Sequence, residues 1–353
     1  MRCLEAAAKF IRSEAALDRA EVLAKCRAMG LTCDHDAPAE VCVLGATGTI
    51  GRAVFTELCR RGIRAVTLTR QADKSLEALG TVIVSPLSSA EDLAAVLRQH
   101  RFAAVISCLA SRTGTPDDAW AVDYRLNSNA LAAAKAAGVG HFVLLSALCV
   151  QKPRLAFQQA KLAFETELAA SGLRYSIVRP TAFFKSLSGQ IDRVRAGRPF
   201  LIFGNGNLTA CKPISDGDLA AYIADCLTCE DRWNRILPIG GPGDALTPRQ
   251  QGEALFSLLG MAPRFRSVPL QLLDVIAAML RLAARVVPAL AVKAELARIG
   301  RYYASESMLV LDPATGQYDA DATPSTGSET LIDHYQAVIE GRVTVDRGDH
   351  AVF

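Results

Sequence analysis

At 353 residues, with half of them hydrophobic, 21% charged and a formal net charge of +3, the chain has ample material for a large α/β core and is too apolar to remain disordered. So small a positive charge, scattered without an aromatic-interleaved basic patch, argues against nucleic acid as a partner. No apolar run reaches the roughly 18 residues needed to span a bilayer.

Residues 1–38 form an N-terminal extension. Apolar positions such as Leu4, Ala8, Ile11, Ala15 and Leu23 recur at helical spacing, and Glu5, Lys9 and Arg12 interrupt any signal-peptide core. A cytoplasmic protein is the expectation. The next stretch organises the chain: Val41-Cys42-Val43-Leu44 reads as a strand, followed by Gly45, Gly48 and Gly51 and then an amphipathic helix carrying Val54, Leu58 and Cys59. Gly45 permits a sharp exit from the strand, Gly48 lets backbone approach a pyrophosphate, and Gly51 lets the helix pack close to the sheet. The turn, with Thr47, Thr49 and Ile50, therefore offers backbone donors at a helix N-terminus to the phosphates of a dinucleotide. The G-x-x-G-x-x-G spacing is weak by itself, and its strand-before, helix-after context carries the assignment.

A second strand, 65–69, ends at Arg70, where NAD-binding folds place an acidic residue on the ribose. An arginine there suits a 2′-phosphate through bidentate charge-assisted bonds, so NADPH is expected, with Arg52 and Lys74 near enough in sequence to assist. Strands near 81–84, 104–108, 141–146 and 175–179 alternate with helices at 90–99, about 119–137 and about 155–171. Such alternation predicts a Rossmann-type doubly wound parallel sheet, placed at 39–182. Residues 183–353 are expected to form a smaller substrate lobe, interleaved with the last strands. Within it, residues 216–227 read as a helix opened by a carboxylate cap, and the helix pair over 268–297 is amphipathic, with Leu272, Ile276, Met279, Leu280, Ala283 and Val287 on the face expected to pack on protein. Ten cysteines lie scattered through strands and helices, as small buried hydrophobes in a reducing compartment do. Cys226 and Cys229 form a C-x-x-C without the second pair that a structural zinc requires, so no metal site is expected.

Ligands bind at the carboxyl ends of parallel strands, and Ser146 stands at one such end, with Lys161 on the following helix. This plan resembles the short-chain dehydrogenase/reductase superfamily, whose members pair a serine with Tyr-x-x-x-Lys. Here the run is Phe157-Gln158-Gln159-Ala160-Lys161, and the phenylalanine has no proton to give. The strings 142–153, 210–215, 237–243 and 298–303 are similar to those of the 3,8-divinyl (proto)chlorophyllide a 8-vinyl reductases, and the likeness runs from about residue 38 to the C-terminus. That resemblance implies NADPH-dependent reduction of a vinyl group on a magnesium tetrapyrrole in chlorophyll or bacteriochlorophyll synthesis; the absence of a transit-peptide composition points to a bacterial member.

The chemistry fits the departure. A hydride added to the terminal vinyl carbon leaves negative charge that spreads into the macrocycle, so no oxyanion forms and only a proton for the inner carbon is needed. By resemblance, Lys161 holds the nicotinamide ribose or delivers that proton; Cys149 and Tyr124 are the other candidate donors, and Ser146 bonds the nicotinamide amide or the substrate. Phe183 and Phe184, with Phe200 and Phe203, are candidate walls for the flat pigment, and Lys185 and Lys212 candidate anchors for its carboxylate. A peripheral membrane contact is compatible with so poorly soluble a substrate. The sequence carries no signal for an oligomeric state. Two other functions stay open at this point: an NADP-binding regulatory module without turnover, and a reductase of another conjugated double bond.

Overall fold

The computed structural model describes residues 40–85 and 89–345; the helices expected within 1–30 lie outside the described residues. β1 (Glu40–Leu44) enters the glycine turn and α1 (Thr49–Arg60) leaves it. β2 (Ala65–Thr69), the short α2 (Lys74–Glu77), β3 (Thr81–Val84), α3 (Ala90–Gln99) and β4 (Phe102–Ser107) complete the first half. Next, α4 (Pro116–Ala119) runs into a π-helical segment (Trp120–Leu126) and on into α5 (Asn127–Ala136). Then follow β5 (His141–Leu145), a 3₁₀ turn (Leu148–Gln151), α6 (Ala156–Ala169) and β6 (Arg174–Pro180). Beyond them come α7 (Phe184–Leu187), α8 (Ile191–Arg195), β7 (Phe200–Phe203), α9 (Asp216–Asp225), β8 (Arg235–Ile239), α10 (Pro248–Leu258) and β9 (Phe265–Val268). The helical pair α11 (Leu270–Ala283) and α12 (Leu290–Tyr303), the hairpin β10 (Val310–Leu311) with β11 (Tyr318–Asp319), and α13 (Leu331–Ile339) close the chain.

Seven strands form one sheet in the order β3-β2-β1-β4-β5-β6-β8, with every pairing parallel. The strand order reverses between β1 and β4, which opens a crevice at their carboxyl ends. Side chains alternate across β1 as a strand's period of two requires. Val41 and Val43 join Val54, Phe55 and Leu58 of α1 and Leu219 and Ile223 of α9 on one face. Cys42 and Leu44 join Leu93 and Leu97 of α3, Ala130 and Ala134 of α5, and Phe164 and Leu168 of α6 on the other. Both faces are covered, as a sheet of nearly continuous apolar strands demands. Cys42, Cys108, Cys149, Cys211 and Cys226 are all buried, and burial pushes their thiols above the ordinary range, consistent with a packing role.

The region after residue 183 divides between the sheet and a second core. β8 joins the main sheet, while β7 and β9 pair in parallel as a separate two-stranded ribbon over a second core containing Phe184, Ile191, Phe200, Ile202, Leu255, Phe256 and Tyr335. Phe184 and Phe200 are thus core residues rather than pigment-facing walls; the apolar environment that suits a flat ligand suits a neighbouring helix equally well. The outer face of α11 is also a correction. No residue of α11 is fully buried, and Leu272, Val275, Met279, Leu282 and Val286 form an exposed apolar stripe, with Leu282 63% and Val286 84% accessible.

Candidate active site

The glycine turn is tight for a physical reason. Gly45 has φ +82°, and a Cβ there would lie 2.7 Å from the carbonyl oxygen of Cys108, just past the end of β4. A Cβ on Gly51 would lie 2.2 Å from the carbonyl oxygen of Gly45, so α1 can approach its own entry turn only with glycine at that position. Gly48 caps α1 with no side-chain bond, and no acidic residue stands in the first turn. The amide groups there are left to an anion, and the helix dipole favours one.

Lys185 reinforces that polarity. Its ammonium donates to the Thr49 hydroxyl at 3.0 Å, at the first residue of α1. Lys185, expected at the pigment's carboxylate, instead lies at the start of α1. Lys212 is also engaged elsewhere: its ammonium donates to the Thr323 carbonyl at 3.0 Å and to the Ser325 hydroxyl at 3.3 Å, tying the C-terminal segment to the body. At the end of β2, Arg52 is neutralised by Asp73 at 2.8 Å and also donates to Ser75 at 2.6 Å. Ser75 first, and then Arg52, hold the Asp73 carboxyl down to about 2. Arg70 is exposed and makes no ion pair among the described residues, so it is the charge left available at this end.

Lys161 lies on α6, near enough for its charge to act on the thiol of Cys108, the residue whose carbonyl closes on Gly45. It forms a buried ion pair with Asp123 at 2.9 Å. Asp123 sits in the π-helical segment, and Asn127 fixes that segment in place. The Asn127 amide donates to the carbonyls of Val122 at 3.1 Å and Asp123 at 3.2 Å, and its oxygen accepts from Ser107 at the end of β4 at 2.5 Å. Short π segments recur at functional sites because the wider turn re-aims a side chain. A helix over 119–137 was legible in the sequence; the extra residue per turn and the Asp123 partner were not.

The other candidates separate. Ser146 donates to Glu165 at 2.5 Å, and Glu165 is in turn paired with Arg179, so this hydroxyl belongs to a buried network between β5, α6 and β6. Tyr124 stands close enough to Glu167, on the stretch of α6 beyond Lys161, for that carboxylate to raise its phenol. Cys149 is buried close enough to Lys161 to feel its charge; burial pushes its thiol up. Phe183 is half-buried against the core of the α1 face. Phe157 occupies the position of the missing acid and packs with Ala147, Ala182 and Ile299 at the edge of a small core around Leu148, Cys149 and Tyr302. A cavity of about 450 Å³ is lined by Tyr302 together with Arg154, Arg281, Arg298, Arg301, Asp274 and Glu306. It is distinct from the glycine-turn crevice.

A protein family described as NAD(P)H-binding matches residues 45–230. A divinyl chlorophyllide a 8-vinyl-reductase, chloroplastic, of Oryza sativa subsp. indica is 51% identical over 337 residues, spanning 90% of this chain and 83% of the rice protein. Its counterpart in Arabidopsis thaliana is 46% identical, across 88% of this chain and 79% of its own. Among solved structures, an NADPH-dependent quinone oxidoreductase of Escherichia coli, determined with NADPH, superposes with a TM-score of 0.62 at 19% identity over 85% of this chain and 99% of that one.

Proposed function

We infer from membership in the family of divinyl chlorophyllide a 8-vinyl-reductases, to which this chain belongs, that it reduces the C8 vinyl group of divinyl chlorophyllide a to ethyl with NADPH. The observation that carries the reading beyond kinship is the pairing of an intact phosphate turn with Phe157 in the acid's position, since only a substrate that absorbs the incoming electrons itself can dispense with a tyrosine there. The cradle fits the cofactor: Gly45 and Gly51 leave space that a Cβ would fill, and the start of α1 is free of acidic side chains. When bound, NADPH supplies the hydride. The amides of 48–51 and Lys185 would hold its phosphates, Arg70 its 2′-phosphate, and Lys161, held in place by Asp123, its nicotinamide ribose. Incubating the protein with NADPH and divinyl chlorophyllide a should shift the pigment's Soret band to the blue as NADPH is consumed. Binding of NADPH without turnover would favour a regulatory module instead.

The two cationic assignments make opposite predictions. Arg70→Ala should weaken NADPH by on the order of 10-fold and leave NADH nearly unchanged, because only the 2′-phosphate is lost as a partner. Lys185→Ala should weaken both nucleotides alike, since it addresses phosphates that they share. Dissociation constants from nucleotide fluorescence decide both; equal losses for Arg70→Ala would remove its role.

Arg281 of the arginine-lined cavity has no ion-pair partner among the described residues, and we assign it the pigment's carboxylate in place of Lys185 and Lys212. No helix among the described residues is long and apolar enough to cross a membrane. We place the protein on the cytoplasmic side, in peripheral contact with a membrane through the α11 stripe, with Arg285 beside it to meet anionic headgroups. A Met279→Glu, Leu282→Glu double variant should lose flotation with phosphatidylglycerol vesicles while retaining turnover in detergent; undiminished flotation would discard the contact.

A further inference from the structure

Vinyl reduction requires a proton at the inner carbon, and the groups first considered for it are engaged or shielded: Lys161 is paired with Asp123, Tyr124 stands beside the Glu167 carboxylate, and Cys149 is buried with its thiol pushed up. One phenol reaches the neighbourhood from a distant part of the chain. Helix α12 lays Ile299 against the position of the missing acid: a Cβ built on Gly114 would lie 2.8 Å from Ile299 Cδ1 and 3.7 Å from Phe157 Cδ1. Four residues on, and so on the same side of the helix, Tyr303 donates its hydroxyl to Cys149 Sγ at 3.5 Å. Tyr302 does not compete, because its hydroxyl is committed to the Cys149 carbonyl at 2.8 Å and its side chain is 5% exposed. Tyr303 is 37% exposed, so its ring borders open space that a ligand can enter.

We propose that Tyr303, positioned by Cys149, is the proton donor to the inner vinyl carbon, an assignment that rests on the vinyl-reductase reading above. The balance closes. NADPH gives two electrons and one hydrogen as hydride to the terminal carbon; the Tyr303 O–H bond breaks and a C–H bond forms at the inner carbon; the vinyl group becomes ethyl and NADPH becomes NADP⁺. The phenolate left behind turns the contact around, accepting from the Cys149 S–H, and takes a proton back from solvent once the product has left. Burial, and then the neighbouring Cys149, push the Tyr303 phenol well above its ordinary range, so it stands protonated throughout the neutral range. A weak acid suffices because the carbanionic carbon is a far stronger base.

The test is Tyr303→Phe, which keeps the ring and removes only the hydroxyl. A general acid contributes about 10²- to 10⁴-fold. The variant should therefore lose kcat on that scale, with KM for the pigment, NADPH affinity by fluorescence and Tm all close to those of the parent protein. Cys149→Ala, which removes the hydroxyl's partner without removing the acid, should lose less and keep NADPH affinity. Turnover of Tyr303→Phe within about threefold of the parent would overturn the donor assignment alone. Should the parent protein fail to consume NADPH with the pigment, the vinyl-reductase reading falls and the donor with it. If Tyr303→Phe proved unstable, an undiminished kcat in Cys149→Ala would count against the assignment, because the phenol's position depends on that contact.

Discussion

Lys161→Ala is expected to abolish measurable turnover and to destabilise the protein in the same stroke. The rate effect, on the order of 10²-fold or more, follows from the role proposed for Lys161, orienting the cofactor and adding positive charge near the transfer. The stability effect follows from Asp123, which is almost wholly buried and has Lys161 as its ion-pair partner at 2.9 Å. Removing one member of such a pair leaves an uncompensated charge in the interior, at a cost of about 3–5 kcal/mol. The two effects can be separated. A Lys161→Met, Asp123→Asn double variant removes both charges, so its denaturant midpoint should recover most of the loss while turnover stays absent. A double variant that regained activity would show that Lys161 acts only as a structural partner of Asp123.

The second large effect is expected at Gly51. The methyl group of Gly51→Ala would stand 2.2 Å from the Gly45 carbonyl oxygen and 2.7 Å from its carbon, both of them backbone atoms that cannot swing aside. Helix α1 must then move off the sheet, opening the packing of Val54, Phe55 and Leu58. A loss of about 3 kcal/mol or more is expected, together with loss of NADPH binding. Gly48→Ala is the informative contrast. Its methyl group would meet the Gly45 oxygen at 3.4 Å, a separation the turn can absorb, so the fold should survive while the approach of a phosphate is obstructed. Calorimetry and nucleotide titration on the two variants distinguish a glycine needed for packing from one needed for the ligand. Equal Tm values for both would contradict the close packing of α1.

Six of the sheet's seven strands were legible in the sequence as short apolar runs between helices of clear period, with strands 65–69 and 81–84 placed to the residue, whereas β8 was not among the strands expected. The turn was legible because its glycines answer to local geometry. Pair contacts between distant segments were not. Nothing near Asp123 in sequence announces Lys161, and nothing near Tyr303 announces Cys149, because these meetings are set by the packing of α12 and the π segment across the body. Tyr303 lay inside one of the strings that carried the family resemblance, yet no local pattern marks a phenol as chemical. The aromatics and lysines of 183–212 misled for the opposite reason. Phe184, Lys185 and Lys212 have the right chemistry for a pigment, but the folded chain spends them on a second core, the α1 terminus and a tether to residues 323–325.

The π segment at Trp120–Leu126 ties the helix's wider turn to the buried charge of Asp123. A helix with one residue too many per turn is held open by Asn127, whose amide answers the carbonyls of Val122 and Asp123. Deleting a single residue would let the coil relax to its ordinary pitch. The same relaxation would swing Asp123 roughly 100° around the axis, leaving Lys161 unanchored. Shortening the segment would therefore cost the interior its charge balance and Lys161 its anchor in one event.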